Sequence, residues 1–444
     1  MTWLLNAAYL LLLALASPWL IARMLRHGKY RQGLAQKLLG RVPARNEVRP
    51  CIWFHGVSVG EINALAGIVA RFRQSFPEWP CVISTTTRTG YELARARFAG
   101  LEVFYLPLDF SWAIRRALAR LRPALLVLAE LELWPNLILL ARQAQLRVAV
   151  VNGRLSERSF HRYRLLRPLV ARCLRQVDLV AAQNETYAHR FMALGAPRVV
   201  VTGSVKFDGA ESDRHHPQVE RLRGLAGLQE GHLVWLAGST HEPEERLVLE
   251  AFATLARDFP RLRLLLAPRH PERFACVSAL LQRSGLCWQR RSELGTAGSG
   301  TPAAVLLIDT VGELGWWWGT ADVAFVGGSL SRRGGQNMIE PAAYGAAVAF
   351  GPNTWNFRDV TAALVAAQAA VVVHDAAELA AFVRRCIAEP DYRTGLGTRA
   401  RRLVLAQRGA QARTCDLLAQ LLPNAPSCTV PACTALPETR HEAA

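Results

Sequence analysis

The sequence predicts an α/β protein with two parallel-sheet domains and an apolar anchor helix at its N-terminus. Short apolar strand candidates alternate with amphipathic helical segments along most of the 444 residues, and this βαβ alternation is typical of a parallel sheet. One polar, charged stretch at 208–231 interrupts the alternation. Because 51% of the residues are hydrophobic, the chain can bury two sizeable cores.

The N-terminal segment is predicted to associate with a membrane. Residues 2–22 contain no charged side chain, and about 20 apolar residues suffice for a helix to cross a bilayer. A cleavable signal peptide carries its positive charge before the apolar region, whereas here the charges come after it, at Arg23, Arg26, Lys29 and Arg31. We therefore expect residues 1–31 to form a membrane anchor that keeps the rest of the chain on the cytoplasmic side. Pro18 leaves open a helix that enters only one leaflet.

The strand candidates fall into two series. The first lies near 51–55, 80–84, 103–106, 124–129, 147–151, 178–182 and 198–201, and the second near 233–237, 262–266, 304–308, 322–326, 347–350 and 370–373. We expect an N-terminal domain at 32–207, a linker at 208–231 and a C-terminal domain at 232–422. Two such domains form a cleft, where small-molecule sites usually lie. Residues 423–444 lack any period and are expected to be disordered.

The charge and the cysteines restrict the partners and the compartment. A formal net charge of +18 and a pI near 10.3 imply an anionic partner, which could be nucleic acid, a membrane surface or a phosphorylated substrate. The nine cysteines form no CxxC pair and no Cys/His cluster at metal-ligand spacing, and their odd number argues against a complete disulfide framework. We therefore expect a reducing compartment and predict no metal site.

The stretch CIWFHGVSVGEINAL at 51–65 contains the first candidate catalytic residue. An apolar strand is followed by two glycines, and helical periodicity then begins at Glu61. Ligands collect at such a position in an open α/β sheet, because the helix N-terminus offers unpaired N–H groups. The competing interpretation is that Glu61 only complements the helix dipole.

Four strand-end loops in the second half are candidate phosphate or nucleotide sites. They are the loops at 237–240, 268–273, 309–314 and 327–341, and none matches a Walker or GxGxxG motif. Arg269 and Arg273 offer guanidinium groups for phosphate, although surface arginines are common in this chain. Glu340 could accept both hydroxyls of a ribose.

Nine segments along the chain resemble one family closely. They are HGVSVGE at 55–61, TTTRTG at 85–90, LPLD at 106–109, ELELWPN at 130–136, NGRLSERSF at 152–160, VTGSVKFD at 201–208, AGSTHEPEE at 237–245, PRHPERF at 268–274 and GGQNMIEPAAYG at 334–345. In these segments the chain resembles the 3-deoxy-D-manno-octulosonic acid (Kdo) transferases, which add Kdo to lipid A in Gram-negative bacteria. The resemblance implies a GT-B glycosyltransferase fold, with two Rossmann-like domains facing a cleft and a membrane-associated N-terminal region.

The resemblance also implies roles for individual residues. Glu61 matches the general base of the family, and Glu130 and Lys206 match residues that stabilise the transition state. The site for cytidine monophosphate (CMP) is matched by Pro268, Arg269, Val311, Gly312, Glu313, Asn337, Met338, Ile339 and Glu340. The chain departs from the family pattern at Gln336, where histidine is more usual, and at Met338 and Ile339, which replace Pro-Leu.

The implied reaction is inverting transfer of Kdo from CMP-Kdo to a lipid A precursor (lipid IVA) in lipopolysaccharide biosynthesis. Such a transfer needs a base for the acceptor hydroxyl and cations for the departing phosphate. It needs no cofactor or metal beyond the donor itself. Glu132, beside Glu130, and Arg88, in a Ser/Thr-rich loop, are additional candidates. The expected partners are CMP-Kdo, the lipid A precursor and anionic lipids on the cytoplasmic face of the inner membrane.

Two other functions are consistent with parts of the sequence. A different nucleotide-sugar enzyme of the same fold, such as a hexosamine transferase or epimerase, would use a UDP-sugar. A membrane-tethered polyanion binder would account for the charge but not for Glu61, Glu130 and Glu340, which would repel nucleic acid. The sequence leaves open the number of Kdo residues added and the oligomeric state.

Overall fold

Residues 2–27, 32–47, 49–295 and 303–423 are described by the structure, a computed structural model. Lys29 and Arg31 of the predicted basic flank, and residues 424–444 of the predicted disordered tail, lie outside the described residues. The chain divides into two units, one formed by Met1–Val205 with Gly409–Ala444 and the other by Lys206–Arg408. Each unit is described by itself below.

The first unit is built on a parallel sheet. Its described strands are β1 (Cys51–His55), β2 (Cys81–Thr85), β3 (Glu102–Tyr105), β4 (Pro123–Ala129), β5 (Arg147–Gly153), β6 (Leu179–Ala182) and β7 (Val199–Val201). They are ordered β3-β2-β1-β4-β5-β6-β7, and every neighbouring pair is parallel. The helices that accompany them are α1 (Thr2–His27), α2 (Leu34–Leu39), α3 (Val59–Ser75), α4 (Arg88–Arg97), α5 (Ser111–Leu121), α6 (Pro135–Gln143), α7 (Glu157–Leu165), α8 (Arg167–Leu174) and α9 (Glu185–Ala193).

The second unit repeats this architecture. Its described strands are β8 (Leu233–Thr240), β9 (Leu262–Pro268), β10 (Trp288–Arg290), β11 (Val305–Leu307), β12 (Val323–Val326), β13 (Ala347–Phe350) and β14 (Ala370–Val372), in the order β10-β11-β9-β8-β12-β13-β14 and again parallel. The helices are α10 (Pro217–Leu225), α11 (Glu244–Ala256), α12 (Phe274–Arg283), α13 (Leu314–Trp317), α14 (Ile339–Ala343), α15 (Arg358–Ala366), α16 (Ala376–Ala388) and α17 (Pro390–Ala406). Short 3-10 helices occur at Pro271–Arg273, Arg291–Glu293, Trp318–Thr320 and Trp355–Phe357.

The predicted α/β class with two parallel sheets is confirmed. The strands bury both faces between helices, so they read as continuous apolar runs such as ALLVLA at 124–129, and this pattern made them visible in the sequence. The sequence analysis missed β10, a three-residue edge strand whose side chains are only half-buried and therefore carry no strong pattern.

The structure differs from the predicted domain limits at both ends of the second unit. The predicted linker contains α10, whose Val219 and Leu222 are fully buried in the core of the second unit. The last helix, α18 (Ala410–Ala419), belongs to the first unit, where it packs on α3 and the Cys415 thiol donates to the carbonyl oxygen of Ile68 at 3.5 Å. Burial of the apolar face of α18 in the core of the first unit explains why the second unit ends at Arg408 rather than near residue 422.

Helix α1 is held against the first unit by polar contacts. The Asn6 amide donates to Ser111 Oγ at 2.7 Å and its oxygen accepts from the Ser111 N–H at 2.9 Å. The Tyr9 hydroxyl donates to Asp109 at 3.0 Å, and Asp109 also accepts two backbone N–H groups at the start of α6. By length and composition, Thr2–Trp19 is apolar enough to cross a membrane. The opposite face of α1 exposes Trp3, Leu4, Leu10, Leu11, Leu15 and Trp19.

Strand order reverses at one position in each sheet. In the first unit the chain leaves β1 toward β2 and β3 and later returns to the other side of β1 with β4. In the second unit the same reversal lies between β8 and β12. Beyond the carboxyl ends of such strand pairs the flanking loops separate, and the crevice that results is the usual ligand site of open α/β sheets.

Stability of the first unit is expected to fall as the pH drops below 6.5, because His55 is fully buried in β1. Burial lowers the pKa of His55 from 6.5 to about 4, so the unfolded chain binds a proton in this pH window while the folded chain does not. The free energy of unfolding should therefore fall by up to about 1.4 kcal/mol per pH unit from this one group.

Chemical denaturation of the full chain in detergent between pH 4 and 8.5 measures this slope, with His55→Gln as the non-titrating comparison. The variant should show a shallower slope below pH 6.5 and the parental slope above pH 7.5, where His55 is neutral in both states. Equal slopes below pH 6.5 would contradict the prediction.

Candidate active site

Glu61 lies at the carboxyl edge of the first sheet, in the first turn of α3, just beyond β1. Its carboxylate accepts the Val57 N–H at 2.8 Å and the Ser58 hydroxyl at 2.8 Å, while the Ser58 oxygen caps the helix by accepting the Glu61 N–H at 3.4 Å. The side chain is buried, with 8% of its surface exposed. These contacts hold both carboxylate oxygens at the reversal point of the sheet.

Two more carboxylates follow β4, on the other side of the reversal point. Glu130 adopts a left-handed backbone conformation with φ 55°. This conformation is unfavourable for a residue other than glycine, and such strained residues cluster at functional sites. Glu132 accepts the indole N–H of Trp134 at 3.0 Å. Burial together with the neighbouring charges of Glu61 and Glu130 raises the pKa of Glu132 to about 7, although the hydrogen bond from Trp134 acts in the opposite direction. The three carboxylates therefore share one electrostatic environment.

Lys206, the third predicted catalytic residue, begins the second unit, whereas Glu61 and Glu130 belong to the first. Its ammonium group lies 5.1 Å from the centre of the Phe357 ring, which is a cation–π contact. The residue before it, Val205, donates its N–H at 3.3 Å to the side chain of Asn152, which has φ 52° at the end of β5. Val205 is thus fixed to the carboxyl edge of the first sheet just before the chain enters the second unit.

In the second unit, one buried carboxylate joins the two loops at the reversal point. Glu244 accepts backbone N–H groups from His241 at 2.9 Å, Gly328 at 2.7 Å, Ser329 at 2.9 Å and Leu330 at 2.8 Å. A Cβ atom at Gly327 would lie 2.5 Å from the Ser239 carbonyl oxygen, so only glycine permits this close approach of the two loops. The loop after β8 and the loop after β12 are therefore held as one rigid surface.

Arg269 follows β9 at the carboxyl edge of the second sheet, and Glu340 lies in the first turn of α14, which follows β12. The Arg269 N–H donates to the Thr240 carbonyl at 3.0 Å, and its exposed guanidinium donates to the Gln336 side chain at 3.3 Å. Glu340 accepts the Asn337 amide at 2.9 Å, and burial raises the pKa of its carboxyl group while Arg269 acts in the opposite direction. Gln336, the departure from the family motif, thus orients the guanidinium of Arg269.

The remaining predicted nucleotide-site residues differ in what they can offer to a ligand. The side chains of Met338 and Ile339 are fully buried in the core, so these residues can present only backbone groups. Val311 is 78% exposed, and Gly312 has φ 90°. Glu313 accepts hydrogen bonds from the Thr310 hydroxyl at 2.7 Å and from Nε and one terminal nitrogen of Arg291 at 3.0 and 2.9 Å. Burial acts to raise the pKa of Glu313, but these bonds outweigh it and lower the pKa.

Pro268 ends β9 immediately before Arg269 and is buried.

Two other arginines considered from the sequence, Arg273 and Arg88, have different surroundings from Arg269. Arg273 is bound to the buried carboxylate of Glu245 at 3.0 and 3.1 Å and to Glu242 at 3.0 Å, so its role is structural. Arg88 is exposed at the start of α4 and lies 3.4 Å from Glu92.

The structure adds residues to the site that sequence reasoning did not select. Glu244 reads as an ordinary acidic residue of a first helical turn, and only the return of the chain through β12 reveals three of its four N–H partners. His241 is also buried at this position, and burial lowers its pKa to about 4, with His270 and three arginines acting in the same direction. Within the described residues, His241 Nε2 and Thr240 Oγ1 are among the buried side-chain atoms without a hydrogen-bond partner.

Over the described ranges, no group of three or more His, Cys, Asp or Glu side chains is arranged to hold a metal ion. At the edge of the first sheet, Glu61 and Glu132 each accept hydrogen bonds from donors of the protein.

The fold and this distribution of groups define a glycosyltransferase of the GT-B class, with two parallel α/β units that each present a polar reversal point. A glycosyltransferase of Rickettsia africae has the same fold: its solved structure aligns with a TM-score of 0.55 at 12% identity, over 85% of this chain and 100% of that one. A sequence model of the 3-deoxy-D-manno-octulosonic-acid transferases matches residues 26–209.

The chain belongs to the 3-deoxy-D-manno-octulosonic acid transferase family. It is 35% identical to the family member of Haemophilus influenzae over 395 residues, which cover 88% of this chain and 91% of the relative. It is 36% identical to the Bordetella pertussis member over 414 residues, covering 90% and 94%. Family membership was expected from the nine segments, and the comparisons confirm it.

Replacing Glu244 by glutamine should destabilise the second unit by about 2–4 kcal/mol, because an amide donor would face backbone N–H groups that now share a buried charge. Denaturation of the full chain followed by tryptophan fluorescence measures the effect. Glu250→Gln, on the half-exposed face of the same helix, is the matched control and should change stability by less than about 0.5 kcal/mol. Equal stabilities of the two variants would contradict the conclusion that Glu244 stabilises the second unit by joining its two loops.

Proposed function

We propose that this protein transfers Kdo from CMP-Kdo to a lipid A precursor, lipid IVA, with inversion at the transferred carbon, at the cytoplasmic face of the inner membrane. The observation that supports this most directly is the carboxylate cluster of Glu61, Glu130 and Glu132 at the reversal point of the first sheet. In a Kdo transferase, such a cluster supplies the base that the acceptor hydroxyl requires.

Glu61 acts as the general base. Its carboxylate takes the proton of the acceptor hydroxyl while the hydroxyl oxygen forms a bond to the anomeric carbon of Kdo. The bond from that carbon to the phosphate oxygen breaks at the same time, and CMP leaves with the electron pair. The negative charges of Glu130 and Glu132 favour the oxocarbenium character of this transition state. Glu132, with its pKa raised to about 7, can also hold the proton after transfer.

The second unit supplies the donor site. Arg269 offers an exposed guanidinium to the phosphate of CMP, and the loop after β8, tied by Glu244, carries the unpartnered side-chain atoms of His241 and Thr240. Asn337 and Glu340 recognise the ribose hydroxyls, and residues 311–313 approach the base through the backbone. Lys206 stabilises the negative charge that develops as CMP departs.

The global charge and α1 agree with an anionic lipid acceptor. A net charge of +18 attracts a bisphosphorylated lipid and the anionic lipids around it, and each Lys or Arg near such a surface contributes about 1 kcal/mol. The exposed apolar face of α1 keeps the protein at the membrane where this acceptor resides.

The first experiment measures transfer of Kdo from freshly generated CMP-Kdo to tetraacylated lipid A precursor by membranes that carry the protein, with products resolved by mass. Glu61→Gln should lower kcat by about 10²–10⁴-fold with little change in KM, because it removes the proton acceptor and keeps the shape of the side chain.

Glu185→Gln is the matched control, since Glu185 also lies in the first turn of a helix after a strand of the first sheet but is exposed. It should retain parental activity. A fully active Glu61→Gln would move the role of base to Glu130 or Glu132. A folded parent that transfers no Kdo but accepts a UDP-sugar would replace the proposal with the other nucleotide-sugar enzyme.

Arg269→Ala should raise KM for CMP-Kdo by about tenfold and leave KM for the acceptor unchanged, because it removes a charge-assisted hydrogen bond to the donor phosphate. Initial rates at varied CMP-Kdo measure this. Arg283→Ala, at the exposed end of α12, controls for loss of positive charge alone. A loss of affinity for the lipid acceptor in place of CMP-Kdo would contradict the assignment.

A further inference from the structure

An apolar groove runs along the inner face of α1 in the first unit. The inner face is formed by residues that recur every three or four positions, including Asn6, Tyr9, Leu13 and Ser17. Between this face, α2 and the loop after β3 lies a cavity of about 510 Å³. Its walls include Leu13, Leu34, Leu38, Leu106 and Trp134. A second cavity of about 430 Å³ adjoins it and shares Leu13, Leu108 and Trp134.

The groove leads to the carboxylate cluster through Trp134. The indole ring of Trp134 forms part of both cavity walls, and its N–H donates to Glu132 at 3.0 Å. The same ring lies 6.3 Å from the ring of His55, at the end of β1. A molecule that occupies the groove therefore ends one side chain away from the groups proposed to activate the acceptor hydroxyl.

The chemistry of the walls fits an apolar chain with an anionic head. The groove is lined mainly by aliphatic and aromatic groups, and a hydrocarbon chain needs no hydrogen-bond partner there. Lys37 stands on the α2 side, with its ammonium 4.1 Å from the centre of the Tyr105 ring, and supplies a positive charge for a phosphate. The outer face of α1 is apolar and exposed, so the groove lies at the level where a membrane would meet the protein.

We propose that the groove between α1 and α2 binds one fatty acyl chain of the lipid acceptor and so presents its sugar hydroxyl to the carboxylate cluster. This inference rests on the proposed function for the identity of the acceptor. It makes α1 a wall of the acceptor site in addition to a membrane anchor.

The test uses the full chain in detergent micelles with Leu38→Trp, which fills the groove, and Leu15→Trp, which places the same side chain on the exposed outer face of α1. Two quantities are measured: KM for tetraacylated lipid A precursor in the Kdo transfer assay, and the affinity for a dansyl-labelled undecanoic acid by fluorescence. Leu38→Trp should weaken both by about tenfold with kcat and KM for CMP-Kdo within about twofold of the parent, and Leu15→Trp should change neither.

Each other outcome is informative. If Leu38→Trp loses affinity for the fatty-acid probe but keeps KM for the acceptor, the groove holds a membrane lipid and the proposal is wrong. If it keeps both, nothing binds in the groove and the proposal is also wrong. If it lowers the melting temperature, Leu34→Asn, on the same wall but more exposed, carries the test with the same thresholds.

Failure of the proposed function is distinguishable from failure of the groove. In one outcome, the parent chain transfers no Kdo to any acceptor and still binds the probe, with that binding lost in Leu38→Trp. This result would disprove the proposed reaction, and it would also disprove that the groove binds the lipid acceptor. A parent that transfers Kdo while probe binding and acceptor KM are insensitive to Leu38→Trp overturns the groove alone.

Discussion

Because the strands of each sheet are parallel, their carboxyl ends meet along one edge, and the order of the strands reverses at one position on that edge. The backbone cannot fill this position, since the loops on either side leave in opposite directions. The first unit places Glu61 and Glu130 there, and the second places the loops after β8 and β12. Each group with a proposed role in these loops is positioned by this constraint rather than by a local motif.

Two buried carboxylates, Glu61 and Glu244, occupy related positions after the first strand of each unit but differ in their contacts. Both oxygens of Glu244 accept backbone N–H groups, four in all, so this carboxylate has a structural role. Glu61 is held by one N–H and one hydroxyl, which orient it and leave further acceptor capacity on both oxygens. The difference follows from the loop on the other side of the reversal point. In the second unit, the loop after β12 approaches closely enough to donate three N–H groups to Glu244. In the first unit, the loop after β4 carries the carboxylates of Glu130 and Glu132 instead.

Much of this arrangement could be predicted from the sequence. Strands buried on both faces leave apolar runs, and the residues that follow them, such as Glu61 and Arg269, are visible as strand-end residues. Three features could not be predicted because they depend on distant parts of the chain. Three of the four N–H partners of Glu244 come from the loop after β12, and the place of α18 depends on the face of α3 that it covers. The raised pKa of Glu132 depends on its burial and on the charges of Glu61 and Glu130 beside it. The short strand β10 lacks a pattern of its own.

The position of α18 has a consequence for how the chain folds during synthesis. Residues 1–205 leave the ribosome before the second unit is made, yet Ala410, Cys415 and Leu418 complete the core over α3 only when the last helix emerges. At ordinary translation rates this interval is on the order of 10–40 s, during which the first unit carries an uncovered apolar surface. The α3 face and the apolar outer side of α1 are then exposed together. Such apolar surfaces favour binding of the nascent first unit to a chaperone or to the membrane before synthesis is complete.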